Sequence, residues 1–192
     1  MSYKRRDIHN SEVPVLCQAC EARHQGLCGA LDSQELVELS RASSRREVKP
    51  GTTLVGDSET VTQYSNILSG VVKLTKILAD GRQQIVGLQF APDFLGRPFK
   101  AESDTNTEAA TTVRLCSFPR SAVERLMGDN PSLERRLLQQ TLKELDEARG
   151  WMVTLGRKTA AEKVSSFLYL IATHSNPESD SDTSVAFELP LT

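Results

Sequence analysis

The hydrophobic and polar positions of the chain change period along its length, which predicts a β domain followed by helices. From Lys49-Pro50-Gly51 to about Pro119, short runs rich in Val, Ile, Leu and Thr alternate with turn residues. This pattern is typical of a compact antiparallel β domain. Asp80-Gly81, between the runs 71–78 and 83–90, predicts a hairpin because that dipeptide tolerates the positive φ of a tight turn.

Capping and turn residues set the boundaries of the neighbouring elements. Asp32 and Glu35 stand three residues apart before an apolar stretch, which predicts a short capped helix. Ser69-Gly70 separates two strands, and Ala91-Pro92-Asp93 closes the next one. The polar stretch 100–107 predicts a surface loop.

From Asn130 the apolar positions follow a helical period. Asn130 is suited to cap a helix, and Pro131 is suited to its first position. Two series with seven-residue spacing, offset by three, form one a/d seam along the predicted helix. The seam residues are Leu138, Thr141, Leu145, Ala148, Met152 and Leu155. A seam of about three heptads predicts a helix that pairs with a second copy through a modest buried area, although packing within the chain is the alternative.

Other apolar residues of the helical region are expected to face the chain's own core. Leu133, Leu137 and Trp151 lie off the seam and are expected to hold the helix against its β domain. A second helix is predicted from Thr159, which forms a capping pair with Glu162. The apolar face of this second helix comprises Val164, Phe167, Leu168 and Ile171. A loop at 176–184 and a strand at 185–189 are predicted to follow.

Length, charge and the first residues narrow the class of protein. A chain of 192 residues can bury a real core, so its stability need not depend on disulfides. The polar start and the lack of an apolar run of about 18 residues predict a soluble, cytoplasmic protein without a membrane span. The formal net charge of −2 gives no general sign of polyanion binding. No nucleophile and base pair stands out, so an enzyme is not expected.

The four cysteines are the strongest candidates for chemistry. Cys17, Cys20 and Cys28 lie in one short segment, whereas Cys116 lies far downstream in a predicted strand at 113–118. Three soft donors in one loop and a fourth brought in by the fold would select zinc or an iron–sulfur cluster. The alternative is that some of these cysteines are small buried hydrophobic residues. His24 lies between two of the candidate ligands and is expected to be a solvated loop residue.

Several motifs together resemble one family of regulators. They are Cys17-Gln-Ala-Cys20 with Cys28, Ser69-Gly-Val-Val-Lys-Leu through Asp80-Gly-Arg-Gln-Gln-Ile to Phe90, Asp93-Phe-Leu-Gly96, Cys116-Ser-Phe-Pro119 and Gly156-Arg-Lys-Thr-Ala-Ala-Glu-Lys163. The chain resembles the CRP/FNR superfamily of bacterial transcription regulators, of the FNR type, and within it the FnrN- and FnrL-like oxygen regulators. The seven residues between Cys20 and Cys28 are more than in the enteric FNR pattern and are similar to the longer spacing of the FnrN- and FnrL-like sequences.

The resemblance implies a fold class and a division into four parts. The fold is an α+β, mainly β, cyclic-nucleotide-binding-like antiparallel β-roll, or double-stranded β-helix. A long dimerisation helix and the start of a winged-helix domain follow it. The implied parts are a cysteine-bearing cluster-binding arm at 1–31, a β-roll sensor domain at 32–129, a dimerisation helix at 130–158 and the N-terminal portion of a DNA-binding domain at 159–192.

The resemblance also implies a cofactor and partners. Cys17, Cys20, Cys28 and Cys116 would hold a 4Fe-4S cluster that oxygen destroys, and the cluster would promote a homodimer and DNA binding. The family continues past Leu-Pro-Leu-Thr into a helix-turn-helix, whereas this sequence ends at Thr192. We therefore expect the sensory and dimerisation portion of a regulator. The hairpin at Asp80-Gly81-Arg82 resembles the loop with which the family contacts RNA polymerase.

Two other sensors share the implied fold. A cyclic AMP module needs a cation for the phosphate, and the family's phosphate-binding turn pairs Gly-Glu with a downstream Arg-Ser or Arg-Thr. In this chain Gly96 is followed by Arg97-Pro98, and no Arg or Lys occurs from 101 to 113. Cyclic nucleotide binding is therefore not expected. A haem-based gas sensor and a structural zinc protein remain alternatives to the cluster.

Overall fold

The computed structural model describes residues 13–175. The predicted loop at 176–184 and strand at 185–189 lie outside the described residues. Five α-helices and eight strands are assigned within 13–175. The helices are α1 Glu21–His24, α2 Ser33–Ala42, α3 Arg120–Asp129, α4 Pro131–Arg157 and α5 Ala160–Ser175. The strands are β1 Ser44–Val48, β2 Thr53–Val55, β3 Gln63–Ser69, β4 Val71–Ile77, β5 Gln83–Phe90, β6 Phe94–Leu95, β7 Asn106–Ala109 and β8 Val113–Pro119. None of the described helices combines the length and apolar character that crossing a membrane would require.

Two antiparallel four-stranded sheets form the β-roll and confirm the predicted fold class. One sheet has the order β1-β8-β3-β6 and the other β2-β7-β4-β5. Alternate residues of the strands point inward from both sheets, since side chains along a strand face opposite sides. The inward residues form a buried cluster of Val48, Ile67, Val72, Leu95, Ala109, Val113 and Leu115. The two sheets therefore pack face to face around one apolar core.

The predicted turns and caps of the β domain are present, with one correction. Gly81 adopts a φ of 85° in the β4–β5 hairpin, and Asp32 and Glu35 form a capping box on α2. The stretch 100–107 is not a loop throughout, because Asn106 and Thr107 belong to β7 and pair with β4. Their polar side chains do not predict a strand from the sequence. The strand forms there because its backbone pairs with β4, not because of local propensity.

Three other elements were not predicted from the sequence. β1 begins at Ser44, before the predicted start of the β domain, and pairs with β8 although most of its residues are exposed. α3 follows β8 directly and buries Val123, Leu126 and Met127. Residues 15–30 form α1 flanked by two short 3₁₀ segments, Val15–Cys17 and Leu27–Ala30.

A second buried cluster lies on the outer face of the β1-β8-β3-β6 sheet. The segment before α2 contributes Val13, Leu27, Cys28 and Leu31 to it. The remaining members come from the strands, from α2 and from the helices after β8, and they are Leu36, Leu39, Tyr64, Phe94, Phe118, Val123, Leu126, Met127 and Leu133. The cysteine-bearing segment is therefore packed against the sheet that carries Cys116.

The long helix α4 begins where the sequence predicted. Asn130 Oδ1 accepts hydrogen bonds from the backbone N–H groups of Ser132 at 2.9 Å and Leu133 at 3.1 Å. Leu133 is buried in the outer cluster and Leu137 packs against it, as expected from their positions off the seam. Trp151 is half-buried, and its packing on the β domain stays a prediction.

The chain divides into two compact units, Met1–Leu138 and Gln139–Thr192. In the second unit, Thr159 and Glu162 form the predicted capping pair of α5, with the Thr159 N–H donating to Glu162 Oε2 at 2.8 Å. Ile171 is buried, whereas Val164 and Leu168 of the same predicted apolar face are exposed. The finer division into four parts stays a prediction.

Two glycines with similar backbone angles allow a test of the β-roll. Gly70 has a φ of 90° and Gly81 a φ of 85°, so alanine is strained by about 1 kcal/mol or more at both positions. A Cβ on Gly70 would also lie 2.3 Å from the carbonyl oxygen of Thr112, whereas one on Gly81 would meet nothing within 4 Å.

We therefore expect Gly70→Ala to lower the free energy of unfolding by about 3 kcal/mol and Gly81→Ala by about 1 kcal/mol. Urea unfolding followed by circular dichroism measures both values. Equal losses in the two variants would contradict the close approach at Gly70.

Candidate metal centre

The structure brings all four cysteines into one group. Cys28 interacts electrostatically with Cys116, Cys20 and Cys17. Cys17 interacts in the same way with Cys20 and Cys116, and Cys116 interacts with Cys20. Each thiol is therefore near the other three, and none of the four belongs to a disulfide. Cys116 reaches the group from β8 of the β-roll.

One row of residues across the sheet positions Cys116. Cys116 lies on β8 directly opposite Arg45 of β1 and opposite Asn66 of β3. Asn66 in turn lies opposite Phe94 of β6. Residues that pair across an antiparallel sheet project from the same face, so Arg45, Cys116, Asn66 and Phe94 share one face. This is the face against which the cysteine-bearing segment packs.

The other three cysteines come from the short helical segment before α2. Cys17 ends the first 3₁₀ segment, Cys20 is the N-cap of α1, and Cys28 lies in the second 3₁₀ segment. Gly26 allows this segment to lie close to the β-roll, because a Cβ there would come within 2.9 Å of the Pro92 carbonyl oxygen. Gly26 is thus a position where the segment and the β5–β6 loop approach each other closely.

Burial disfavours the thiolate form of three of the four cysteines by raising the pKa of each. Burial raises the pKa of Cys28 to about 12, although a hydrogen bond from Asn66 opposes the rise. Burial also raises the pKa of Cys17 and of Cys116 above the ordinary value. A metal ion must displace these protons, because the thiolate is the ligand.

Arg45 opposes the effect of burial on the pKa of two of these thiols. Its guanidinium lowers the pKa of both Cys17 and Cys116, in opposition to the effect of burial. Its Nη2 also donates a hydrogen bond to the backbone carbonyl of Leu16. Arg45 therefore holds the cysteine-bearing segment to the sheet edge and places a positive charge beside the sulfur atoms. This role could not be predicted from the sequence, since it depends on the pairing of β1 with β8.

Asn66 is the second residue that the sequence did not reveal. Its Nδ2 donates a hydrogen bond to Cys28 Sγ at 3.2 Å, and the residue is 1 % exposed. Its Oδ1 is buried, and no hydrogen-bond partner for it is found among the described residues. Asn66 therefore links the sheet directly to the most buried thiol.

Two side chains connect the segment around Cys28 to the start of α4. Asn130 Nδ2 donates to the Ala30 carbonyl at 3.2 Å and to Glu35 Oε2 at 2.8 Å. Arg136 Nη2 donates to the Gln25 carbonyl. Asn130 thus caps α4 and also holds the backbone two residues beyond Cys28.

The donor set suits a sulfur-ligated centre. Four cysteine thiolates are the ligand set of 4Fe-4S clusters and of structural zinc sites. Within residues 13–175, no three Cys, His, Asp or Glu side chains are arranged to hold one metal ion. A single zinc ion needs its sulfur ligands at about 2.3 Å, whereas a cluster spreads them around several iron atoms. The four thiols and the N–H donor of Asn66 supply the donor types that such a cluster uses. His24 is exposed at the end of α1.

The predicted seam is largely exposed on the single chain. Leu138 is 58 % exposed, Leu145 44 %, Met152 71 % and Leu155 48 %. Thr141 is also exposed and Ala148 is half-buried. A row of apolar side chains at a seven-residue spacing, with this exposure, can bury apolar area in a helix pair.

The segment between β6 and β7 contains Gly96-Arg97-Pro98, the turn compared above with the family's phosphate-binding turn. Its two cations, Arg97 and Lys100, both form ion pairs with Asp104. A phosphate would therefore have to compete with an intramolecular carboxylate for each of these cations.

Comparison with known proteins gives consistent matches. Residues 45–130 match the family model described as the cyclic nucleotide-binding domain. The chain is 51 % identical over 191 residues to a probable transcriptional activator of Rhizobium leguminosarum bv. viciae, covering 100 % of this chain and 79 % of that protein. It is 37 % identical over 186 residues to the transcriptional activator protein FnrL of Cereibacter sphaeroides, covering 94 % of this chain and 75 % of that protein.

Among solved structures, the chain is similar to FixK2 from Bradyrhizobium japonicum. The TM-score is 0.62 at 28 % identity, over 67 % of this chain and 65 % of that chain. The sensor domain of the regulator DNR from Pseudomonas aeruginosa matches with a TM-score of 0.57 at 19 % identity, over 65 % of this chain and 86 % of that chain. At that identity the similarity to DNR concerns the fold alone.

Proposed function

This chain belongs to the CRP/FNR family of transcription regulators, and we propose that it is an oxygen-responsive member that holds a 4Fe-4S cluster on Cys17, Cys20, Cys28 and Cys116. The relatives that establish the family are regulators and not enzymes. The observation that carries the proposal is the meeting of three thiols from the segment before α2 with a fourth thiol from β8.

The cluster would join two parts of the chain that are far apart in sequence. When bound, it supplies an oxygen-sensitive bond between the segment before α2 and the sheet. Ligand-binding free energy that exists only in the assembled arrangement stabilises that arrangement. Arg45 and Asn66 help by holding the segment and Cys28 against the sheet before any ligand arrives.

The contacts of Asn130 and Arg136 extend this effect to α4. Asn130 caps α4 and Arg136 lies in its second turn, and both side chains donate hydrogen bonds to backbone carbonyls near Cys28. Fixing the backbone between Gln25 and Ala30 therefore fixes the first turns of α4 as well. A coupling of about 1 to 3 kcal/mol between the two sites would change a dimerisation constant by about five- to 150-fold.

In the proposed mechanism, the exposed seam of α4 pairs with the same seam of a second copy. Dimerisation would set the spacing of two DNA-binding domains on a two-fold-symmetric site. DNA is thus the proposed partner of the dimeric regulator. The β4–β5 hairpin, with Ile77, Leu78, Ile85 and Val86 exposed, is the proposed contact for RNA polymerase.

The proposal is tested by sedimentation of the anaerobically reconstituted chain before and after exposure to air. We expect a larger dimer fraction before exposure, and a loss of dimer that follows the loss of the visible absorbance of the cluster. A dimer fraction that does not change when the absorbance disappears would contradict the proposed mechanism.

Asn130→Ser separates the two roles of Asn130. Serine is an N-cap residue as good as asparagine, so α4 keeps its cap, whereas the bonds of Nδ2 to Ala30 and Glu35 are lost. We expect cluster content to stay near that of the wild type. The ratio of dimerisation constants with and without the cluster should fall by about three- to tenfold, since a net hydrogen bond contributes about 0.5 to 1.5 kcal/mol. Sedimentation equilibrium measures the ratio, and an unchanged ratio would show that Asn130 does not connect the two sites.

A cyclic-nucleotide sensor is the second candidate, because residues 45–130 match the model of that domain. The ion pairs of Arg97 and Lys100 with Asp104 weigh against it. Calorimetry with cyclic AMP separates the candidates, since tight binding would favour the nucleotide sensor. The absorbance spectrum of the anaerobic protein also distinguishes a cluster from haem, which has a Soret band, and from colourless zinc.

A further inference from the structure

The amide of Asn66 is placed as a donor to a sulfur atom inside the protein. It lies 3.2 Å from Cys28 Sγ, and both residues are buried, with exposed fractions of 1 % and 9 %. The backbone of β3 fixes this position, because Asn66 pairs with Cys116 on one side and with Phe94 on the other. The sheet therefore holds Asn66 beside Cys116, and the side-chain amide of Asn66 reaches Cys28.

The orientation of the Asn66 amide leaves its oxygen atom without a hydrogen bond among the described residues. Oδ1 of Asn66 is buried, and the described residues offer it no hydrogen-bond partner. Leaving a buried acceptor unsatisfied is unfavourable, so an apolar side chain of the same size would suit the fold better. What the asparagine adds is an N–H group directed at sulfur. Hydrogen bonds to ligand sulfur atoms stabilise the more negative state of an iron–sulfur cluster and thereby tune its potential.

We propose that Asn66 is a positioning residue that tunes the cluster through Cys28 and slows its oxidation by dioxygen. The inference rests on the proposed function. A cluster held there would supply one electron to dioxygen, which would be reduced to superoxide. The N–H donor withdraws electron density from the sulfur of Cys28, so loss of that electron becomes less favourable. Asn66 would thus set how much oxygen the regulator tolerates before its cluster is lost.

The test compares Asn66→Leu with the wild-type chain, both reconstituted anaerobically and then mixed with buffer of fixed dioxygen concentration. Leucine has the same branching and the same number of side-chain heavy atoms as asparagine, removes the N–H donor and also removes the unpartnered Oδ1. We expect the visible absorbance to disappear about three- to tenfold faster in the variant, the range that one hydrogen bond allows. The metal-free variant should unfold at the same urea concentration as the wild type or at a higher one, whereas a residue with only a structural role would destabilise the metal-free protein.

Resonance Raman spectra supply a readout that does not depend on oxygen. In the wild type reconstituted in D2O, the iron–sulfur stretch of the Cys28 ligand should shift because the donor is exchangeable, and the shift should be absent in Asn66→Leu. Ser65→Ala is the matched control. Ser65 is the preceding residue of β3 and is also buried, but its hydroxyl bonds to Ser117 at 2.8 Å and not to a thiol. Its cluster should last as long as that of the wild type.

The possible failures are distinguishable. If the wild type assembles no cluster, the proposed function fails. If the wild type assembles one and Asn66→Leu loses it at the same rate, only the role of Asn66 fails. Asn66→Ala replaces the leucine variant should that variant not fold. Loss of the fold in both would contradict the inference, since Asn66 would then serve stability alone.

Discussion

Cys116→Ser should abolish assembly of the cluster while leaving the β-roll folded. Cys116 is the one candidate ligand that the sheet contributes, so its loss leaves three thiols that all belong to the segment before α2. The hydroxyl of serine is a hard, weakly acidic donor that does not replace a thiolate on iron. We expect iron and acid-labile sulfide to fall below about a tenth of the wild-type content, because removing one ligand breaks a site whose binding energy depends on all of them.

The side chain of Cys116 is half-buried, so exchanging sulfur for oxygen should cost the metal-free fold no more than about 1 to 2 kcal/mol. Circular dichroism of the metal-free variant checks this. His24→Ala is the control, because His24 lies between Cys20 and Cys28 in sequence but is exposed. It should keep full iron and sulfide. Full cluster content in Cys116→Ser would exclude the bridge between the two parts of the chain.

Leu145→Glu should convert the proposed cluster-loaded dimer into a monomer. Leu145 lies in the middle of the seam and is 44 % exposed on the single chain. Its further burial in a helix pair is worth about 1 to 2 kcal/mol in each copy, and the two-fold symmetry of the pair doubles the effect. Two carboxylates would also meet near the axis. We expect the dimer to weaken by at least about 100-fold, measured by sedimentation equilibrium under anaerobic conditions.

Val153→Glu is the matched control for this prediction. Val153 lies on the same helix, is 58 % exposed, and stands outside the seven-residue series. Glutamate has a higher helix propensity than valine, so the helix itself is not weakened. Its dimerisation constant should stay within about threefold of the wild type. Equal weakening by both substitutions would mean that the a/d seam is not the surface on which the chains pair.

The elements that the sequence predicted are those specified by neighbouring residues. Asp80-Gly81 determines its hairpin through the backbone angles that it tolerates, and Asn130-Pro131 determines the start of α4 through a cap. α3 was not predicted because its apolar residues Val123, Leu126 and Met127 extend over little more than one turn, which is too short to establish a helical period. The strand at Asn106 was missed because its polar residues follow the ladder of β4 and not a local preference.

Some residues of the candidate site could be identified from the sequence, and others could not. The cysteine pattern of the sequence identified Cys17, Cys20 and Cys28 with Cys116 as candidate ligands, and the resemblance to the family implied the 4Fe-4S cluster. Arg45 and Asn66 could not be found from the sequence, because each becomes a neighbour of Cys116 only through the register of β1 and β3 on β8. A one-residue shift in that register would turn both side chains to the other face of the sheet.

The most direct test of the account is the metal and sulfide content of the wild-type chain reconstituted anaerobically with iron, zinc and sulfide all present. If the four thiolates hold a 4Fe-4S cluster, we expect about four iron atoms and about four acid-labile sulfide ions per chain, with no bound zinc. One zinc ion per chain, with neither iron nor sulfide retained, would contradict the account.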